Sequence, residues 1–254
     1  MRPNTTKAKL LAGGTVFGCF VRYPEPGIIE VLGHCGWDFI LFDGEHGTIE
    51  PRDCEQLVRA AELRGVTPLV RVPTNLPPVI LRYLDTGAQG AQVPMINSPG
   101  EAEAAVRAVK YQPRGARGLA AVRAADYGQT QSFRDYTAAA NAETLVVAQV
   151  ETAAAVEQLA EILRVPDIDV IFIGPTDLSH SLGAPGDLQH PRVRETLDRI
   201  VAAVTASDKA LGILVGNAEA ARQWQERGAR YLVVGLEALL APACRKFLEA
   251  ARQS

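Results

Sequence analysis

Short apolar runs recur along the chain and alternate with stretches in which apolar residues return every three or four positions. The runs are Thr15 to Val21, Asp38 to Phe42, Pro68 to Val72, Gly90 to Pro94, Leu145 to Val150, Val170 to Ile173, Gly212 to Val215 and Tyr231 to Val234. They predict eight strands buried on both faces, as in a parallel sheet covered by helices. The periodic stretches predict helices that bury one face: Cys54, Leu57, Val58, Ala61; then Val156, Leu159, Ala160, Leu163; then Val193, Leu197, Ile200, Val201, Val204.

Helix start and stop signals agree. Ser98-Pro99-Gly100-Glu101 has capping-box spacing with proline at the first helical position, Pro51 and Pro191 sit where proline is tolerated, and Asn217 precedes a further helix. Gly65, Gly87 and Gly228 close helices just before the next strand. Eight such units predict an α/β fold, a single (β/α)8 TIM barrel over residues 1–254. Only Tyr111 to Glu143 breaks the rhythm, with Arg-Gly turns and a short helical pattern around Ser132 to Ala140. It reads as an elaborated connection over one barrel end.

Composition narrows the class. A chain of 254 residues, 47% hydrophobic and 22% charged, has ample material for a core. A formal net charge of -3 with no basic block argues against a nucleic-acid partner and for a small-molecule substrate. Cys19, Cys35, Cys54 and Cys244 show no CxxC spacing, so neither a disulfide framework nor a zinc site is indicated and a reducing cytoplasm fits best. Met1 to Ala12 lacks the apolar core of a leader, and no run approaches membrane-spanning length, so the chain is read as the mature protein, with no membrane partner.

In a barrel, polar residues just after a strand belong to the catalytic face and those just before it to the opposite face. Strand two delivers Asp43, Glu45 and His46; strand three, Arg71; strand five, Gln149 and Glu151; strand six, Gly174, Pro175, Thr176 and Asp177. His34 and Cys35 precede strand two and read as structural. Glu151 and Asp177 end neighbouring strands, which lie about 5 Å apart, so the two carboxylates are placed to share one hard divalent cation. The competing reading is that each merely caps its following helix.

Arg71 is suited to clamp a carboxylate or oxyanion, with a salt bridge to Asp43 or Glu45 as its alternative role. His46 titrates near neutral pH and is a candidate general base, although a histidine after a strand is more often a solvated loop residue. Lys7, Lys9, Lys110, Lys209 and Lys246 all lie away from the strand ends, which leaves a Schiff-base mechanism without a nucleophile. Gly216-Asn217 and Gly235 would suit a phosphate site, the basis of a runner-up reading as an enzyme of sugar phosphates. A second alternative is an inactive barrel kept as a binding or assembly module.

Several motifs resemble, in chain order, the metal-dependent class II pyruvate aldolases. They are Phe42-Asp43-Gly44-Glu45-His46-Gly47, Leu84-Asp85-Thr86-Gly87-Ala88-Gln89, Val93-Pro94-Met95, Arg114-Gly115-Ala116-Arg117-Gly118, Gln149-Val150-Glu151-Thr152 and Phe172 to Ser179. The resemblance covers about Gly18 to Gly235. It implies reversible retro-aldol cleavage of a 4-hydroxy-2-oxo acid to pyruvate and an aldehyde through a metal-stabilised enolate. Glu151 and Asp177 would bind the cation, Mg²⁺, Mn²⁺ or Co²⁺. Arg71 would stabilise the enolate, His46 accept the proton and Asp85 raise its basicity across a subunit boundary, with Asp43 in the same network. Gln149, Gly174, Pro175, Thr176 and Phe20 would contact substrate, Phe20 standing where relatives often carry tryptophan. The family assembles as a homohexamer with exchanged C-terminal helices. The apolar spacing of Leu239, Leu240, Ala243, Phe247 and Ala250 within Glu237 to Ala251 predicts such a helix in need of a surface.

Overall fold

The computed structural model describes residues 1–252. Its eight strands are β1 (Val16–Val21), β2 (Phe39–Asp43), β3 (Thr67–Arg71), β4 (Gly90–Val93), β5 (Leu145–Val150), β6 (Val170–Ile173), β7 (Ala210–Val215) and β8 (Ala229–Gly235). All pair in parallel with their sequence neighbours, and β8 closes on β1, giving a (β/α)8 barrel. Each strand falls within about two residues of its predicted span, because a run buried on both faces is a strong local signal.

The helices are α1 (Thr5–Leu11), α2 (Pro26–His34), α3 (Pro51–Arg64), α4 (Pro77–Leu84), α5 (Pro99–Val109), α6 (Phe133–Glu143), α7 (Ala153–Glu157), α8 (Leu159–Ile162), α9 (Pro175–Ser181), α10 (Pro191–Thr205), α11 (Ala218–Glu226) and α12 (Leu236–Arg252). The expected caps form: Ser98 accepts from the Glu101 N–H, Asn217 from the Ala220 N–H, and Gly65 ends α3 at φ 68°. The periodic stretch from Val156 to Leu163 is two short helices, with the break at Gln158 (φ -97°, ψ 3°).

Phe20, Phe39, Phe172 and Tyr231 supply the aromatic part of the barrel interior. Phe39 stacks on Tyr231 with ring centroids 4.5 Å apart. Gly18 is required there, since a Cβ would lie 2.1 Å from the Phe39 ring. Outside the strands, a second core packs residues such as Leu57, Val58, Ile171 and Ile200 between sheet and helices.

Helix α1 closes the N-terminal mouth, and no apolar periodicity in the chain announces it. Asn4 donates to the carbonyls of Gln89 and Glu143, Thr6 to that of Asp38, and the Lys7 ammonium to that of Thr144, so this one segment ties together the beginnings of β2, β4 and β5. The Lys7 ammonium also pairs with Asp169, just before β6. The long connection before β5 holds α6 and a tight turn in which Asp126 and Tyr127 adopt left-handed backbone (φ 47° and 54°). Arg123 of that turn fastens the connection to Glu62 and the Thr86 carbonyl.

Lys110, fully buried, donates to the carbonyls of Asn141 (2.9 Å) and Thr144 (2.6 Å). Burial, and after it the charge of Lys7, pushes its pKa down to about 7. A neutral amine still has two N–H donors, so both bonds survive deprotonation. Above that value the unfolded chain binds a proton that the fold does not, and stability rises with pH. The thiols of Cys19 and Cys54, pushed up to about 12, act in the opposite sense only above the ordinary thiol range. The melting midpoint should therefore climb from pH 7 to about 8.5, with a limiting slope of about 1.4 kcal/mol per pH unit, and Lys110→Met should flatten that climb. A wild-type midpoint that stays level or falls over this range contradicts the assignment.

Candidate active site

Asp43, the last residue of β2, is completely buried and accepts bonds from several elements at once. Arg71, ending β3 alongside it, donates through Nε (2.9 Å) and Nη2 (2.7 Å) in a two-pronged pair. Arg22, just past β1, adds a bond of 3.2 Å, and the backbone N–H groups of Glu45 and His46 add two more. Burial by itself would raise the Asp43 pKa, but the bonds and charge of Arg71, then the two backbone donors, hold it below the usual carboxylate range.

The Arg71 guanidinium lies 4.5 Å above the ring of buried Phe20. Its Nη1 is 3.0 Å from Glu45 Oε2, although that oxygen has no aligned hydrogen bond; the contact is one of charge without directionality. Arginine has five N–H donors, so two remain for a substrate once these contacts are counted. Both roles foreseen for Arg71, salt bridge and clamp, are compatible with this geometry. His46 is exposed beside the pair, fixed through its backbone.

Two strands on from Arg71, Glu151 is 2% exposed and gripped at both oxygens. Oε1 accepts from the Met95 N–H (2.9 Å), which left-handed backbone at φ 56° turns toward it, and Oε2 accepts from Gln149 Nε2 (2.6 Å). Gly174 is obligatory here: a Cβ would lie 2.4 Å from Oε2. Helix capping, the competing role for Glu151, belongs instead to Thr152, which accepts from the Ala155 N–H. Pro175 is buried at the first position of α9, and Thr176 and Asp177 are exposed in its first turn.

Burial is the leading cause that raises the Glu151 pKa; the Gln149 and Met95 bonds oppose it, and repulsion from Glu45 and Asp177 adds to it. Glu45 is raised in the same way, by burial first, with Asp43 and Asp177 opposing its ionisation and Arg71 favouring it. Three carboxylates thus crowd one face of the mouth. Among the described residues no three His, Cys, Asp or Glu side chains converge into a closed metal cage. Glu151 and Asp177 could hold a divalent cation in an open site: their donors are hard oxygens, each Glu151 oxygen keeps a free lone pair, and a cation would relieve the repulsion.

Asp85 follows α4 and precedes β4, which places it away from the strand carboxyl ends, where it pairs with Arg117 (2.8 Å). Within one chain it does not meet His46. Asn217 has its carboxamide engaged in capping α11, and His190 caps α10 through Nδ1. Sequence reasoning passed over Gln92, Met95, Arg22 and Glu237. Arg22 was detectable as a charged residue at a strand end, and Gln92 as the lone polar side chain in its strand. Nothing local marks Glu237, 3.5 Å from Arg22, or the strained Met95.

The (β/α)8 barrel and the family and relatives that the chain matches define an enzyme of the carbon–carbon lyase class. Residues 16–242 match the HpcH/HpaI aldolase/citrate lyase family, and the chain belongs to it. It is 37% identical over 251 residues to the hydroxypyruvate/pyruvate aldolase of Roseovarius nubinhibens, covering 96% of this chain and 95% of that one. It is 36% identical to the 4-hydroxy-2-oxo-heptane-1,7-dioate aldolase of Escherichia coli, covering 93% and 90%. A crystal structure of a family member from Burkholderia cenocepacia J2315 superposes with a TM-score of 0.93 at 36% identity, covering 98% of this chain and all of that one.

If the Glu151 rotamer is the working one, Gly174→Ala should cost about 10²-fold in activity, the scale of a misplacement near 1 Å, with an unchanged circular dichroism spectrum. Full activity in that variant would mean that the carboxylate works from another position.

Proposed function

We propose that the chain is a divalent-metal-assisted pyruvate aldolase that cleaves a 4-hydroxy-2-oxo acid to pyruvate and an aldehyde. What supports it most is one arrangement: a buried arginine oriented by Asp43 at the end of β3 and, two strands on, a clamped Glu151 whose charge is opposed by Glu45 and Asp177. The names of the relatives above point the same way. The runner-up readings lose ground, since Asn217 is engaged in a helix cap and family membership favours neither a sugar-phosphate enzyme nor an inactive barrel.

Cleavage breaks the bond between carbons 3 and 4 of the substrate. The proton of the C4 hydroxyl leaves to a base, C4 becomes the aldehyde, and the bonding pair passes into the 2-oxo group as an enolate, which is then protonated at carbon 3. A cation held by Glu151 and Asp177 would supply Lewis-acid polarisation of the 2-oxo acid. The two spare N–H groups of Arg71 are assigned to the developing oxyanion. His46, exposed at the mouth, is assigned as proton acceptor. Phe20 and Gln149, both buried, lie below.

Assembly belongs to the same reading. Helix α12 buries no residue of its own, and Leu239, Leu240, Phe247 and Leu248 are exposed along it. Beside its start lies an apolar groove of about 310 Å³ lined by Phe17, Trp37, Val215, Leu232 and Leu239. We assign α12 to exchange between subunits of a homohexamer, with Asp85 brought to a neighbour's His46. No helix among the described residues is long and apolar enough to cross a membrane, and four free thiols accord with a cytoplasmic setting.

Exhaustive chelation should abolish cleavage and Mg²⁺, Mn²⁺ or Co²⁺ should restore it; full activity with metal removal confirmed by elemental analysis would sink the metal assignment. Light scattering at micromolar concentration should give the mass of an oligomer, whereas a monomer's mass would refute the exchanged helix.

A further inference from the structure

Gln92 lies at the centre of β4, and its neighbours Ala91 and Val93 both pack outward in the core beneath the helices, so alternation points Gln92 into the barrel. It is fully buried, level with Arg71 on one side. Its Nε2 donates to Gln149 Oε1 at 2.5 Å, and Gln149 Nε2 donates in turn to Glu151 Oε2 at 2.6 Å.

The sense of both amides is dictated from the carboxylate end. Ionised Glu151 only accepts, so Gln149 must turn its NH₂ group toward it. That leaves the Gln149 oxygen facing Gln92, which must then present its own NH₂ group. The relay ends on Gln92 Oε1, a buried oxygen with no hydrogen-bond partner. Such an orphan weakens a fold. A buried orphan of this kind calls for an explanation, and the relay supplies one.

We propose that Gln92 is a positioning residue which, through Gln149, locks the Glu151 carboxylate and thereby sets the affinity of the metal site. The inference rests on the metal reading above. Glu151 Oε1 is already held by the backbone of Met95, so the Gln149 bond is what fixes rotation about the last bond of the glutamate. With Gln92 absent, the Gln149 amide loses its anchor and is free to turn over, presenting oxygen to oxygen.

The test is Mn²⁺ binding to the full-length protein, followed by electron paramagnetic resonance of the free ion. Wild type, Gln92→Met, Gln149→Met and the double variant are compared, with Gln92→Leu as a second replacement. Both Gln92 variants exchange the orphan oxygen of Gln92 for an unpartnered Gln149 Oε1, so their folding is checked by circular dichroism before metal binding is compared. Both should bind Mn²⁺ at least about 10-fold more weakly, the scale of lost outer partners at metal sites. Cleavage should fall at limiting metal and recover in excess Mn²⁺. In the Gln149→Met background, removing Gln92 should cost nothing further. Unchanged affinity in the Gln92 variants, losses that multiply in the double variant, or an activity deficit that excess metal fails to restore would each overturn the relay. A wild-type protein that takes up no Mn²⁺ would sink the metal reading itself and the relay with it.

Discussion

The buried carboxylate of Asp43 is the contact on which the catalytic face depends. It takes both prongs of Arg71, a bond from Arg22 and the backbone N–H groups of Glu45 and His46, so it draws together the ends of β1, β2 and β3 and the loop that carries the histidine. An arginine left in that interior without a partner would be strongly disfavoured, and so would the aspartate. Together, with five donors for four lone pairs, they are mutually satisfied. The folded value of Asp43 lies below its unfolded one, so this stabilisation is complete at neutral pH and is lost only as acid reaches the depressed value. Asp43 therefore serves as scaffold and not as a proton carrier, in keeping with the proposed assignment of that role to His46.

The carboxylates beside this pair are built on contrary electrostatics. Glu151 and Glu45 are both held above the ordinary carboxylate range, by burial first and by carboxylate repulsion in addition. Folding tolerates this because Met95 and Gln149 each bond one oxygen of Glu151, and because Gly174 leaves just enough room for the carboxylate. One half of the site is thus charge-compensated and rigid, and the other rigid with a carboxylate repulsion that a cation would relieve. That asymmetry is what an enzyme stabilising a developing oxyanion requires: a fixed donor on one side and an electrophile on the other.

Much of this was legible in the chain. Parallel strands buried on both faces announce themselves as continuous apolar runs, and residues following those runs reach the catalytic face by geometry alone, which is how Asp43, Arg71, Glu151 and Asp177 were found. What escaped notice depends on contacts distant in sequence. The α1 plug is defined by bonds from Asn4, Thr6 and Lys7 to residues that precede remote strands, and no local pattern encodes them. Gln92 sits inside an apolar run and looked like strand filling until its bond to Gln149 placed it. Asp85 carries a family motif, yet its position in one chain, paired with Arg117, makes sense at the site only through a second copy.

The central claim is that the charge-stabilising apparatus and the proton acceptor are separate parts. Retro-aldol cleavage must remove a hydroxyl proton, whereas oxaloacetate reaches the same enolate by losing carbon dioxide, with no hydroxyl to deprotonate. Measured at saturating Mg²⁺ on folded protein, His46→Ala should slow aldol cleavage by about 10²- to 10⁴-fold, the range of general-base catalysis, and leave decarboxylation comparatively intact. Arg71→Ala should impair both reactions. Equal losses in the two reactions for His46→Ala would contradict the account and move the proton acceptor elsewhere.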